Sequence, residues 1–394
     1  MKTDVGPSPH VRYVSDLPAL PRRVLNMSTG PVEVSRRVLD AQLVPLLTPH
    51  TDDFWMLHDE TIGLLGKVLR TTGKVLMMHG SIRTGIDVAL GNLVVPGTRV
   101  LSVQNGFWGS LIADWSERRG AVVTRIDHGA LEPVSVPRVA DALATGSYDL
   151  VTVVHVETSS GIVNPVAEIG KLVASTDAIF FVDTACSAGA MKVDSDAWGI
   201  DVQVTGSHKC LSAVPGLAIV TISEKAWRRL ARPRAMGTYF EFTQWWDSAV
   251  VRPVTPPFTQ PTTLVLALRA ALIEITSQGM ESWWSTHTTV ADEFMRAMRS
   301  AGFSFLVDGS ATSSDRASYS DTVMAIRYPD HVSEVKFRRV LLDDFGIFVI
   351  GNVGEFAGSS FRVGLMSPPQ MQAVNLYGAV AVFSQAAGAR ACRI

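Results

Sequence analysis

The chain has 394 residues, of which 47% are apolar and 18% charged, with a mean hydropathy of +0.20. So much apolar side chain with so little charge excludes a disordered polypeptide. Lys plus Arg number 35 against 37 Asp plus Glu, so no electrostatic footprint for nucleic acid or an anionic membrane is present. The three cysteines, Cys186, Cys210 and Cys392, are odd in number and sparse. They point to a reducing compartment rather than a disulfide framework. No apolar stretch reaches the ~18–20 residues that span a bilayer, and the N-terminus lacks the apolar centre of a signal peptide. A soluble, cytoplasmic protein is expected.

From about residue 75 to 225, short β-branched runs alternate with helix-length amphipathic stretches. The runs are Val75–Met78, Val100–Val103, Val122–Ile126, Leu150–Val156, Ile179–Val182, Val202–Val204 and Ala218–Ile222. Most are apolar without alternation, as in strands buried on both faces of a mainly parallel sheet. Helices are expected between them, for example at Phe107–Arg119 and Val166–Ala174. Such a pattern builds an α/β layered domain whose ligands gather beyond the carboxyl ends of the strands. Arg252–Pro261 carries four prolines and reads as an irregular connection. One helical region is expected from Thr262 to about Ser300. After it, strands at Thr322–Arg327, Ile347–Ile350 and Phe361–Gly364 join helices at Val332–Asp344 and Gln370–Ala386 in a smaller α+β unit. The expected division is an N-terminal arm (1–30), a large α/β domain (31–265) and a small C-terminal domain (266–394).

The most informative segment is Val204-Thr205-Gly206-Ser207-His208-Lys209-Cys210-Leu211, which follows a strand run. A lysine among small and apolar residues at a strand end is desolvated, which lowers its pKa and makes its amine nucleophilic. A lysine that reaches solvent from a loop is the ordinary alternative. Phe180-Phe181-Val182-Asp183 ends an apolar strand on an acid. That acid either caps the next segment or pairs with a pyridinium nitrogen and strengthens an electron sink. Asp183 and Lys209, in this order and spacing, point to pyridoxal phosphate enzymes.

With that pair the chain resembles the class V aminotransferases of fold type I, the group of the alanine–glyoxylate, serine–pyruvate and pyridoxamine–pyruvate enzymes. The resemblance runs from Ser28-Thr29-Gly30-Pro31 to Arg362. It implies a large domain with a mainly parallel seven-stranded sheet and a smaller α+β domain. It also implies pyridoxal 5'-phosphate as cofactor, held as an internal aldimine on Lys209 with Asp183 at the ring nitrogen.

Other segments fit the same resemblance. His79-Gly80-Ser81-Ile82-Arg83-Thr84-Gly85 joins a strand to a helix, either as an ordinary capped loop or as an anion site at a helix N-terminus. The resemblance gives it to the cofactor phosphate, through Ser81, the Ile82 backbone and Arg83. Trp108, in Gln104-Asn105-Gly106-Phe107-Trp108-Gly109, is either core packing or a flat face for a ring. The resemblance makes it the aromatic that stacks on the pyridine. Val154-His155-Val156-Glu157-Thr158-Ser159-Ser160-Gly161, otherwise turn chemistry, is similar to the family's His-x-Glu-Ser/Thr-x-x-Gly segment. That likeness puts the Thr158 hydroxyl near the ring's phenolic oxygen. Ser207 and His208 are implied as further phosphate contacts. Thr259 is implied to reach the phosphate of a neighbouring subunit, hence a homodimer with shared active sites. Arg362, in Ser360-Phe361-Arg362-Val363-Gly364, is by itself an edge-strand surface residue. In the family it binds the substrate α-carboxylate through a bidentate fork, which suits guanidinium geometry.

The nine histidines show no metal-ligand spacing, and there is no Walker loop or G-x-G-x-x-G after a strand. No metal or nucleotide site is expected. The sequence therefore reads as an aminotransferase that moves an amino group between a small amino acid and a 2-oxo acid. One rival is a lyase or C–C bond enzyme of the same fold. A desulfurase is disfavoured because the loop Gly351–Gly358 has no cysteine. An enzyme acting on free pyridoxamine carries an acid in the phosphate loop, where this chain has Ser81 and Arg83. A silent aminotransferase-like binding protein is disfavoured by the retained Lys209.

Overall fold

The structure, a computed structural model, describes residues 24–230, 238–252, 258–310, 316–330 and 332–388. Most of the expected arm (1–23), residues 253–257 of the proline-rich connection, and Cys392 lie outside the described residues.

The seven expected apolar runs form one sheet, except that the run Leu150–Val156 leaves it after Val154, and Val156–Glu157 pairs with Ile162–Val163 in a separate hairpin. The strands of the sheet are β1 (Lys74–His79), β2 (Arg99–Gln104), β3 (Val122–Asp127), β4 (Leu150–Val154), β5 (Ile179–Asp183), β6 (Val202–Gly206) and β7 (Leu217–Ile222). Their order across the sheet is β1-β7-β6-β5-β4-β2-β3. Only β7 runs antiparallel to its neighbours; the remaining pairs are parallel. Every residue of β4, β5, β6 and β7 is buried, because both faces are covered. The two-residue repeat sends Phe180 and Val182 into one core and Phe181 into the other. Each such fully buried side chain contributes roughly 1.5–3 kcal/mol, so the two layers carry most of the stability. The edge strand β3 is only partly covered, and Val122 is largely exposed.

The helices that position the site are α1 (Asp52–Leu69), α2 (Ile82–Leu93) directly after β1, and α3 (Phe107–Glu117) directly after β2. The long helical region expected after Thr262 is two helices, α4 (Thr262–Thr276) and α5 (Met280–Ser300), bent by 83°. Gly279 sits at the break with φ +83°, a conformation that other side chains resist. The bend lets α4 bury Leu268 and Leu272 in the large core, whereas α5 carries Met295 and Met298 into a second one. Among the described residues, no single helix is long and apolar enough to cross a membrane.

The second core backs a small antiparallel sheet of β8 (Val323–Arg327), β9 (Ile350–Gly351) and β10 (Ser360–Gly364), in the order β8-β10-β9. The strand expected at Ile347–Ile350 is split. Ile347–Phe348 pairs in parallel with Leu25–Asn26, and only β9 joins β10. Helices α6 (Glu334–Asp343) and α7 (Ala373–Gly388) complete this unit, with Phe361 5.2 Å from Phe337 and 5.6 Å from Phe383. Because Phe361 and Val363 enter this core, the alternation of β10 turns Arg362 the other way, toward the large sheet.

Candidate active site

A cavity of about 290 Å³ lies beyond the carboxyl ends of the parallel strands, where α/β sheets collect ligands. Nine of the eleven sequence-predicted site residues line it, all but Ser207 and Thr259.

Lys209 follows β6 by three residues. Its Nζ donates to the Thr29 carbonyl and lies 3.5 Å from Cys186 Sγ. Gly30 closes over the lysine stem. A Cβ there would sit 2.6 Å from Lys209 Cδ, and its φ of +120° also favours glycine. Asp183 ends β5 and is 3% exposed. Its Oδ1 accepts the Ala185 N–H at 2.8 Å. Burial pushes its carboxyl up to about 6, opposed by that hydrogen bond and by the Lys209 cation. A carboxylate so costly to ionise alone suits a cationic N–H partner.

Ser81 stands at the N-cap of α2, and its N–H donates to Thr84 Oγ1 at 3.2 Å. The first turn of α2 holds no acidic residue, so this helix N-terminus at the cavity has no competing anion of its own. The exposed Arg83 guanidinium sits 4.9 Å from the Trp108 ring centroid. Trp108, in the first turn of α3, donates its backbone N–H to Glu157 Oε2 at 3.1 Å. Trp108 Nε1 and His208 Nδ1 are buried with no hydrogen-bond partner among the described residues. Burial, helped by Lys209, holds His208 down to about 4, so its ring is neutral at pH 7.

Arg362 is 4% exposed and donates through Nε and Nη2 to the Gly351 carbonyl at 3.3 and 2.9 Å. It makes no ion pair among the described residues, and burial lowers its pKa. A buried, unneutralised guanidinium is costly, and an incoming carboxylate offsets that cost. The Thr158 hydroxyl lies 2.9 Å from Cys186 Sγ. Ser207 is not part of the lining. Its hydroxyl donates to Val214 O at 2.6 Å and accepts from Leu217 N–H at 3.3 Å, bracing the turn between β6 and β7. Thr259 is exposed, away from its own chain's cavity, next to Phe258, which stacks on Trp245 at 4.4 Å.

Sequence reasoning missed Cys186 and Glu157. Glu157 was visible inside the quoted His-x-Glu segment, whereas no pattern marks Cys186. Among the described residues no group of His, Cys, Asp or Glu is arranged to hold a metal ion.

The family model for class V aminotransferases matches residues 67–354. The chain is 33% identical over 349 residues to an uncharacterized aminotransferase of Methanocaldococcus jannaschii, covering 87% of each chain. It is 29% identical to the pyridoxamine–pyruvate transaminase of Mesorhizobium japonicum, over 88% of this chain and 87% of that one. The crystal structure of an alanine–glyoxylate aminotransferase from Nostoc sp. superposes with a TM-score of 0.88 at 28% identity, covering 94% of this chain and 97% of that one. The cavity fits the cofactor this family implies. The acid-free helix N-terminus suits a phosphate, the two orphaned polar atoms await partners, and buried Asp183 suits a protonated ring nitrogen. The chain belongs to the class V aminotransferase family and is a pyridoxal phosphate-dependent transaminase of fold type I.

Proposed function

We propose that the protein transfers an amino group between a small amino acid and a small 2-oxo acid, with Lys209 as the residue that bonds the cofactor. The observation that carries this reading is the meeting of an amine, a buried carboxyl and a guanidinium without an ion-pair partner among the described residues in one cavity: Lys209, Asp183 and Arg362. Bound pyridoxal phosphate supplies an aldehyde that carries the amino group and a ring that withdraws electrons. Lys209 Nζ takes the proton from the substrate α-carbon and returns it as general acid and base. Asp183 holds the proton on the ring nitrogen with the oxygen that Ala185 leaves free. Trp108 lends a flat face that orients the ring. Ser81, the Ile82 N–H, Arg83 and His208 hold the phosphate, and Thr158 faces the phenolic oxygen. Arg362 fixes the substrate carboxylate with its fork. Small substrates are supported by the alanine–glyoxylate and pyridoxamine–pyruvate specificities in the relatives' names.

The same reading makes the active unit a homodimer in which Thr259 serves the neighbouring subunit's site. Its support is a set of exposed apolar side chains: Leu46 is 76% exposed, Met56 65% and Val251 69%. Arg252, next to Val251, pairs at 2.5 Å with Asp59 on α1, the helix that also carries Met56. Exposed apolar side chains of this size, where they gather on one face, mark interfaces. A cytoplasmic setting is supported by Cys186 and Cys210, both free thiols. The division into arm, large domain and small domain is supported by the separate core around Phe337 and Phe361, although its boundary at residue 265 crosses α4. The experiment is a donor–acceptor screen with products identified by mass spectrometry. Transfer of nitrogen from a small amino acid to pyruvate or glyoxylate is expected. Decarboxylated or cleaved donor with no aminated acceptor would make the protein a lyase.

A further inference from the structure

Four donors converge on one buried carboxylate that does not line the cavity. Glu157 is 0% exposed. Its Oε1 accepts from the Ser159 N–H at 3.1 Å and the Ser159 hydroxyl at 2.8 Å. Its Oε2 accepts the Trp108 N–H at 3.1 Å, and the Gly109 N–H donates to the same carboxylate. Burial holds its pKa above the usual carboxylate range, opposed by the hydrogen bonds from Ser159, Trp108 and Gly109, which favour the ionised form. The carboxyl group sits at the N-terminus of α3, whose first turn contains no acid of its own. It answers the helix's orphan N–H groups and its dipole. Gly106 makes the room. A Cβ there would lie 2.6 Å from Glu157 Cγ, while its φ of 173° is ordinary extended backbone, so only space demands glycine.

The carboxylate therefore grips two walls of the site. On one side it fixes the turn that carries the Trp108 ring. On the other it fixes Ser159, whose carbonyl accepts from Asn352 Nδ2 at 2.8 Å. Asn352 also bonds Ser360 Oγ at 2.9 Å, and it adjoins Gly351, whose carbonyl holds Arg362. One chain of hydrogen bonds thus runs from the large sheet to the small one.

We propose that Glu157 is a positioning residue that sets the Trp108 ring against the cofactor and, through Ser159 and Asn352, sets the Arg362 fork for the substrate. The proposal rests on the pyridoxal phosphate reading above. Glutamine keeps the volume but turns an amide NH2 toward one pair of donors.

The test titrates pyridoxal 5'-phosphate into apoprotein, with bound cofactor followed by absorbance, for wild type, Glu157→Gln, Trp108→Ala and the double variant. Glu157→Gln is expected to raise Kd about tenfold when Trp108 is present and less than twofold when it is absent, as for two residues acting as one unit. In the loaded enzyme, KM for the amino donor is expected to rise more than kcat falls. Far-UV circular dichroism and Tm report folding. If Glu157→Gln does not fold, Gly106→Ala replaces it in the cycle, since the added methyl displaces the carboxylate without changing charge. Equal weakening in both Trp108 backgrounds makes Glu157 a general structural support and overturns the proposal. So does an unchanged Kd with an unchanged KM. A wild-type protein that binds no pyridoxal phosphate instead overturns the underlying reading, and the proposal with it.

Discussion

Arg362 gives two N–H groups to the single carbonyl of Gly351, at 3.3 and 2.9 Å, and is otherwise left without an ion-pair partner among the described residues. One buried carbonyl orients the guanidinium without neutralising it. The remaining donors are those a carboxylate takes as a fork. Arg362→Ala is expected to cost about 2–4 kcal/mol in kcat/KM for amino acids, with lysine rescuing only part of it. Steady-state kinetics on both variants, with the absorbance of the bound cofactor unchanged, checks this. Retained kcat/KM in Arg362→Ala places the carboxylate site elsewhere.

Asp183 gives the apoprotein a distinctive pH signature. Its folded pKa, about 6, lies above the ordinary 3.8, because burial penalises the charge. The folded state therefore binds this proton more tightly than the unfolded state does. The associated stability is full below about pH 3.8 and is lost as pH rises through about 6. Asp183→Asn removes the penalty. The variant apoprotein is expected to be more stable than wild type at pH 8 by on the order of 2–3 kcal/mol, with no gain at pH 4 and no transaminase activity. Urea melts at the two pH values decide this, and an equal effect at both contradicts it.

Three histidines pull the other way. Burial holds His155 and His208 down to about 4 and His287 to about 3, against an ordinary 6.5. The unfolded chain takes up protons that the folded chain refuses, so their contribution is full above pH 6.5 and is lost as pH falls toward those values. Apoprotein Tm is expected to drop between pH 6.5 and 4, and His287→Gln, at a ring clear of the cavity, to flatten that drop. An unchanged slope in the variant contradicts the assignment for His287.

Much of this was legible in the sequence because buried parallel strands leave uninterrupted apolar runs. Ile179–Val182 and Val202–Val204 could be read directly, and the polar residues that follow them, Asp183 and Lys209, are where a ligand must approach. The break at Gly279 was missed because no proline marks it, although Ser277-Gln278-Gly279 is a sequence that can end a helix. Ile347–Phe348 and Ile350–Gly351 read as one strand because their different partners, Leu25–Asn26 and Ser360–Gly364, lie far away in sequence. In the site, Ser207 has the right residue type, but β6 and β7 need its hydroxyl for their own turn. Cys186 reaches Lys209 only because the chain after β5 folds back beside the lysine, and no local pattern announces that.

The exposed side chains of Leu46, Met56 and Val251 carry the oligomer prediction. Light scattering is expected to give a dimer, and Met56→Lys with Leu46→Lys to produce monomers of much reduced activity. Thr259→Ala is expected to leave the dimer intact and to weaken cofactor retention severalfold, through loss of one hydrogen bond to the neighbouring site. A fully active wild-type monomer contradicts both statements.

The most direct measurement concerns Lys209 itself. Purified protein is loaded with pyridoxal 5'-phosphate, reduced with borohydride and digested, and its peptides are mapped by mass spectrometry. The reduced cofactor is expected on Lys209 alone, and Lys209→Ala is expected to bind no cofactor covalently and to lose transamination. Cofactor fixed to another lysine, or full turnover by Lys209→Ala, would contradict the placing of the chemistry at the end of β6.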